Sequence, residues 1–176
     1  NDMRLNQGVK APIFITKDYQ GKKINLSDYH GKRILLSFFR GASCPFCNLR
    51  VHELIKKQNE FKEQDIEIIA FFSSTKEEVQ QYAGKKTPPF AVIPDPKFDI
   101  YKRYGVESSI SGMMKAMLRM GTMVKIVMGG FFNMKSMSDK PLLPADFLID
   151  ENGMIYKAYY GSDFGDHIDL EEIVNW

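Results

Sequence analysis

Cysteine is nearly absent from this chain. Of 176 residues, only Cys44 and Cys47 are cysteines. That excludes the disulfide framework of small secreted domains. A structural zinc site needs four ligands. Two cysteines with His52 nearby, and His30 and His167 scattered, do not make one, so no metal is expected. A charge excess is also lacking: 24 Lys and Arg stand against 22 Asp and Glu, a net charge of +2. The two signs are mixed along the chain, which gives no basis for a nucleic-acid partner. No uncharged run approaches the roughly 18 residues of a membrane-crossing helix, so membrane association is not expected. No secretory signal pattern is present, although the chain opens at Asn1 rather than Met. The expected compartment is the cytoplasm. No internal repeat or heptad array appears.

The rest of the composition is ordinary. An apolar fraction of 44% and a charged fraction of 26% suit one globular domain over residues 1–176. Both cysteines fall in one tetrapeptide, Cys44-Pro45-Phe46-Cys47. It follows the apolar run Ile34-Leu35-Leu36-Ser37-Phe38-Phe39 and precedes a stretch of helical spacing. A C-x-x-C at a strand-to-helix junction points to thiol–disulfide chemistry. The free N–H groups and dipole of the helix N-terminus favour a thiolate.

The pattern predicts a hairpin from Ala11–Thr16 and Lys23–Leu26 around a turn at Asp18–Lys22. Arg33–Phe39 reads as a buried strand, with a helix from Pro45 to about Glu63. Ile66–Phe72 is the next strand, followed by a helix capped at Ser74 or Thr75 and stopped at Gly84. Pro89–Pro94 reads as a short strand and Lys97–Tyr104 as a short helix. Phe147–Asp150 and Met154–Tyr160 form a hairpin around Glu151-Asn152-Gly153, and Asp169–Asn175 a last helix. This order, βαβ then ββα, predicts an α/β thioredoxin-like fold. Its central mixed β-sheet carries helices on both faces and an N-terminal β-hairpin extension.

A helical insertion at about 107–140 interrupts that order. It holds eight of the ten methionines: Met113, Met114, Met117, Met120, Met123, Met128, Met134 and Met137. Ile110, Met113, Met114, Met117, Val124, Val127, Met128 and Phe131 fall roughly on one helical face, and Lys115, Arg119 and Thr122 on another. The expected role is a core-covering or lid helix. A hydrophobic mouth for a lipid hydroperoxide, a homodimer face and a membrane contact are further readings.

Several motifs together resemble a known family. They are Ala11-Pro12-Ile13-Phe14, Asp18 with Gly21-Lys22, Leu26-Ser27-Asp28-Tyr29 with Gly31-Lys32, and a strand ending Phe38-Phe39-Arg40. Ile93-Pro94-Asp95-Pro96 and Pro144-Ala145-Asp146-Phe147-Leu148-Ile149-Asp150 continue the likeness. The chain resembles peroxiredoxins of the alkyl hydroperoxide reductase/thiol-specific antioxidant (AhpC/TSA) type, except in the methionine segment. The resemblance puts Cys47 at the peroxidatic position and Cys44 where that family has Thr or Ser. It puts Pro144 about where a late arginine would be. Both departures are similar to thioredoxin and glutaredoxin, and they imply a C-x-x-C subgroup with Pro144 as a cis-proline facing Cys44.

The expected activity is therefore a peroxiredoxin-like thiol–disulfide oxidoreductase with an antioxidant role in redox homeostasis. Cys44 and Cys47 cycle between dithiol and disulfide. The substrate is a peroxide or a disulfide, the reductant a thioredoxin-like protein or small thiol, and no cofactor is required. Position at the helix start, with greater exposure, favours Cys44 as attacker; the family likeness favours Cys47. Arg40 is the candidate to stabilise a thiolate or a peroxide oxygen, while Arg50 reads as a surface ion pair. Asp163, Asp166 and His167 are candidates to pack near the site. The alternatives are a protein-disulfide reductase without peroxidase activity, or a non-enzymatic thioredoxin-fold binding module.

Overall fold

A computed structural model describes residues 3–106, 117–131 and 141–176. The first hairpin pairs β1 (Ile15–Lys17) with β2 (Lys23–Asn25). Asp18 closes its turn by accepting from the N–H groups of Gln20 and Lys22, both at 2.9 Å. The main chain then runs β3 (Arg33–Phe38), α1 (Pro45–Lys56), α2 (Gln58–Glu63), β4 (Ile66–Phe72) and α3 (Lys76–Gln81). It continues as β5 (Ala91–Pro94), α4 (Asp99–Arg103), α5 (Met120–Met128), β6 (Ala145–Ile149), β7 (Ile155–Tyr160) and α6 (Leu170–Val174).

The five longer strands form one mixed sheet in the order β5-β4-β3-β6-β7. β3 is parallel to β4 and antiparallel to β6, so it lies at the centre. Side chains of a strand alternate between faces. Leu35 and Phe39 accordingly join one core with Ile68, Ala70, Phe72 and both cysteines. Ile34, Leu36 and Phe38 join the other, with Phe71, Phe147, Tyr101 and Tyr104. Helices cover both faces: α1, α3, α5 and α6 reach the first core, and α4 and the hairpin the second.

Local chemistry sets the boundaries. Thr75 caps α3 by accepting from the Glu78 N–H, while its neighbour Ser74 turns toward the cysteine loop. The helix expected to reach Glu63 is divided at Lys57, whose φ of −95° and ψ of 7° leave the helical range. At the far end of β3, Arg33 donates to the carbonyls of Trp176 and Gln64. Its guanidinium lies 5.2 Å from the Trp176 ring, which stacks on Tyr156.

Within the expected insertion, α5 packs on α1. Ile126 is buried and Met123 partly so, whereas Met117, Val124, Val127 and Met128 face outward. Of the face expected from spacing, Phe131 packs against the α1 side of the core, but there it joins Met123 and Ile126, which that face did not include. Ile110, Met113, Met114, Lys115, Met134 and Met137 lie outside the described residues.

Candidate active site

The cysteine loop leaves the end of β3 under several restraints. From below, the Tyr101 hydroxyl of α4 donates to the Phe39 carbonyl at 2.6 Å. From the side, the Ser73 N–H donates to the Arg40 carbonyl, and the Ala42 N–H to the Ser74 hydroxyl. From above, the Asn48 amide donates to the carbonyls of Ala42 at 2.7 Å and Cys44 at 2.9 Å. Cys44 is the N-cap of α1 and Pro45 its first residue, where a missing N–H costs nothing.

Both cysteines are free thiols. Cys44 is 0% exposed and Cys47 2%, which corrects the expectation of an exposed Cys44. The phenylalanines and restrained loop around the helix start close over it. The two thiols are driven apart electrostatically. Burial pushes the Cys44 thiol up. The hydrogen bond from the Cys47 thiol, the Arg40 guanidinium and the Cys47 backbone N–H outweigh burial and bring Cys44 down to about 6. Cys47 goes the other way, raised by burial, then by the hydrogen bond its thiol donates to Cys44 and by the negative charge on that sulfur. Arg40, only 4% exposed, is held with its guanidinium 4.6 Å from the Phe164 ring centre.

One turn along α1 from Cys47 lies a buried polar cluster. Asp146 on β6 is fully buried. It accepts from the Ser37 hydroxyl at 2.7 Å and the Ile168 N–H at 2.9 Å. His167 Nδ1 lies 3.0 and 3.1 Å from its two oxygens. A carboxylate only accepts, so Nδ1 carries the proton. Nε2 of this ring is buried without a hydrogen-bond partner among the described residues. Arg50 donates to the Ile168 carbonyl at 2.7 Å and adds positive charge. Burial pushes the Asp146 carboxyl up, but His167 and Arg50 prevail and hold it at about 2.

A family model described as the AhpC/TSA family matches residues 7–158. The chain belongs to the AhpC/TSA family. It is similar to the chloroplastic peroxiredoxin Q of Sedum lineare, 23% identical over 109 residues, covering 62% of this chain and 59% of that protein. It is similar to the thiol-disulfide oxidoreductase ResA of Halalkalibacterium halodurans, 29% identical over 100 residues, covering 56% of each. The matches thus span less than two thirds of either relative. Among solved structures, peroxidoxin BcpB of Mycobacterium tuberculosis superposes with a TM-score of 0.72 at 14% identity, covering 98% of this chain and 96% of that one. This likeness bears on the fold, which is thioredoxin-like.

Within this AhpC/TSA chain, the structure brings Cys44, Cys47 and Arg40 together. Pro144 differs from expectation. No cis peptide bond occurs among the described residues, so Leu143–Pro144 is trans. Pro144 opens β6, and its carbonyl accepts from the Gly161 N–H at 2.8 Å, a strand start that the ordinary trans isomer satisfies. Arg50 is 8% exposed, not a surface residue, because its donor is needed at Ile168. Asp163 binds Arg119, with Nε to both oxygens at 2.9 Å, tying the segment before α5 to the loop that carries Phe164. Asp166 accepts from Tyr159 and Ser162 rather than facing the thiols. Asp146 is the residue that sequence reasoning passed over. Its signal was a lone acid inside an otherwise apolar strand. Among the described residues no three His, Cys, Asp or Glu side chains gather as a metal site, and no helix is long and apolar enough to cross a membrane.

Proposed function

We propose that this chain is a thiol oxidoreductase that reduces peroxides, with Cys44 as the attacking thiolate and Cys47 as the resolving thiol. The observation that carries this reading is the opposed pair of acidities: Cys44 lowered to about 6, Cys47 raised. In the first step the Cys44 thiolate attacks the distal peroxide oxygen. The O–O bond breaks, the leaving oxygen takes a proton and departs as an alcohol or water, and Cys44 becomes a sulfenic acid. Arg40 supplies positive charge for the developing oxyanion. In the second step Cys47 loses its proton and attacks the Cys44 sulfur. Water leaves and a Cys44–Cys47 disulfide remains. A thioredoxin-like or small-molecule thiol then reduces it by exchange, a reductant that the cytoplasm supplies. Pro144 acts in this reading as a positioning residue, fixing the start of β6 beside Phe38, to which Ala145 is paired.

Burial of both sulfurs supports a small oxidant over a protein disulfide. A second reading, disulfide reduction, is favoured by the same Cys44-first order, since the N-capping cysteine meets the free N–H groups of α1. In it, Cys44 displaces one sulfur of the disulfide, and Cys47 releases the other.

The pH profile tests the common core of both. Alkylation of the reduced protein by iodoacetamide should accelerate as pH rises, with a midpoint at about 6, because only the thiolate reacts. Arg40→Leu should move that midpoint up by about one unit and slow the reaction at pH 6. A wild-type midpoint at about 8.5, the ordinary cysteine value, would point to an inert pair and a binding module.

A further inference from the structure

A second feature lies on the far side of the cysteine loop. Ser43 and Asn48 form one wall of a cavity of about 350 Å³ between α1, the 3-10 turn Ala83–Lys86 and the residues after α5. That size is near the small end of ligand pockets, about 300–1,000 Å³. Its apolar lining comes from Val51 and Ile55 on α1, Ala83 and Tyr82, and Phe131. Among the described residues its charged lining is of one sign: Lys85 and Lys86 border it, and no carboxylate does. The two lysines are exposed at the rim, and Lys86 Nζ stands 5.7 Å from the Phe131 ring centre. His52 also lines it, its ring 5.8 Å from that of Phe131. Burial lowers the His52 pKa, and the positive charges of Lys86 and Lys56 lower it further, against an opposing pull from Glu53. The cavity is thus a positive field over an apolar floor.

We propose that this cavity binds a compact amphipathic carboxylate, with its acid group on Lys85 and Lys86 and its apolar chain against Val51, Ile55 and Phe131. An unbranched acyl chain fits the lining better than a polyanion, because the cavity's cations are two lysines at one rim, the remaining polar side chains (Ser43, Asn48, His52, Gln81) are not lysine or arginine, and Val51, Ile55, Ala83 and Phe131 offer an apolar path. The site begins one residue before Cys44. Two sources share this chemistry, a free fatty acid and an acyl hydroperoxide used as substrate.

Decanoate is the probe. Titration calorimetry on the reduced protein should give saturable one-to-one binding, with decanol binding more weakly. Lys85→Gln/Lys86→Gln should weaken decanoate by about five- to tenfold and leave decanol unchanged, as expected for two exposed charge contacts. Ala83→Leu, which fills the floor, should weaken both ligands, and circular dichroism should show that it still folds. Absence of saturable binding, or decanoate affinity unaltered in the lysine pair, would overturn the proposal. With decanoate bound, slower oxidation of Cys44 by an alkyl hydroperoxide would place the chain on the substrate route. An unchanged rate would make the occupant a free acid. Because binding is read without turnover, it stands or falls separately from peroxide reduction.

Discussion

Replacing Cys44 with serine should abolish turnover, by roughly three orders of magnitude or more, because a hydroxyl at that position stays protonated where the thiolate was the nucleophile. Mass spectrometry of Cys44→Ser after brief exposure to hydrogen peroxide should find neither sulfenic acid nor adduct. Cys47, buried and with its pKa raised, offers almost no thiolate of its own. Cys47→Ser should fail differently. Its steady-state rate should fall as far, yet one oxidising equivalent should add to Cys44 and remain there, since no resolving thiol follows. Part of the Cys44 acidity comes from the Cys47 thiol, so the first step should also slow at pH 6 in that variant. A serine at 47 keeps a hydroxyl donor, which limits this second loss. A Cys47 sulfenic acid forming at the wild-type rate in Cys44→Ser would reverse the assignment and restore the order that the family likeness implied.

Asp146→Ala is expected to cost about 3–5 kcal/mol of folding stability, the usual penalty for leaving a buried charge without its partner. Arg50 would lose its counter-charge, and the His167 Nδ1–H, the Ser37 hydroxyl and the Ile168 N–H their acceptor. Against a typical total of about 5–15 kcal/mol, that should be plain in urea denaturation. Asp146→Asn keeps an acceptor and should cost less. The acid dependence distinguishes charge from packing. The carboxyl sits at about 2 when folded, against about 3.9 in an unfolded chain. Its contribution is therefore complete above about pH 4 and disappears as pH falls toward 2, a change of about 2–3 kcal/mol. Asp146→Asn should flatten that part of the stability profile. A midpoint shift equivalent to less than about 1 kcal/mol for Asp146→Ala would show that water reaches the cluster and that the ion pairing matters little.

These two sites differ in how far the sequence announces them. Cys44 and Cys47 fall within one tetrapeptide, and the strand before them and the proline between them are local signals. So is the alternation along β3 that sorts Leu35 from Leu36. The Asp146 cluster is not local. Ser37 lies 109 residues from Asp146, and Arg50 lies 118 from Ile168. Only the pairing of β3 with β6 and the return of the loop before α6 bring them together. The burial of Cys44 has the same origin, since Phe164 and Arg40 meet through tertiary packing. Pro144 stands at the strand boundary that the sequence indicates, but its partner there, the Gly161 N–H, is 17 positions away and not a local signal. The inward side of α5 is not legible from spacing, because Met120, Met123, Val124, Ile126, Val127 and Met128 spread apolar side chains around most of the helix. Spacing alone does not choose among such faces.

The position of Trp176 has a spectroscopic consequence. It is the chain's one tryptophan, and it is pinned to Arg33 at the start of β3. The cysteine loop leaves the opposite end of that strand, about 20 Å away along six residues. Indole emission therefore watches the edge where the C-terminal helix docks, and it is nearly blind to dithiol oxidation. A change of emission on unfolding and silence on oxidation make it an internal reference, so the redox state has to be followed by a probe attached elsewhere.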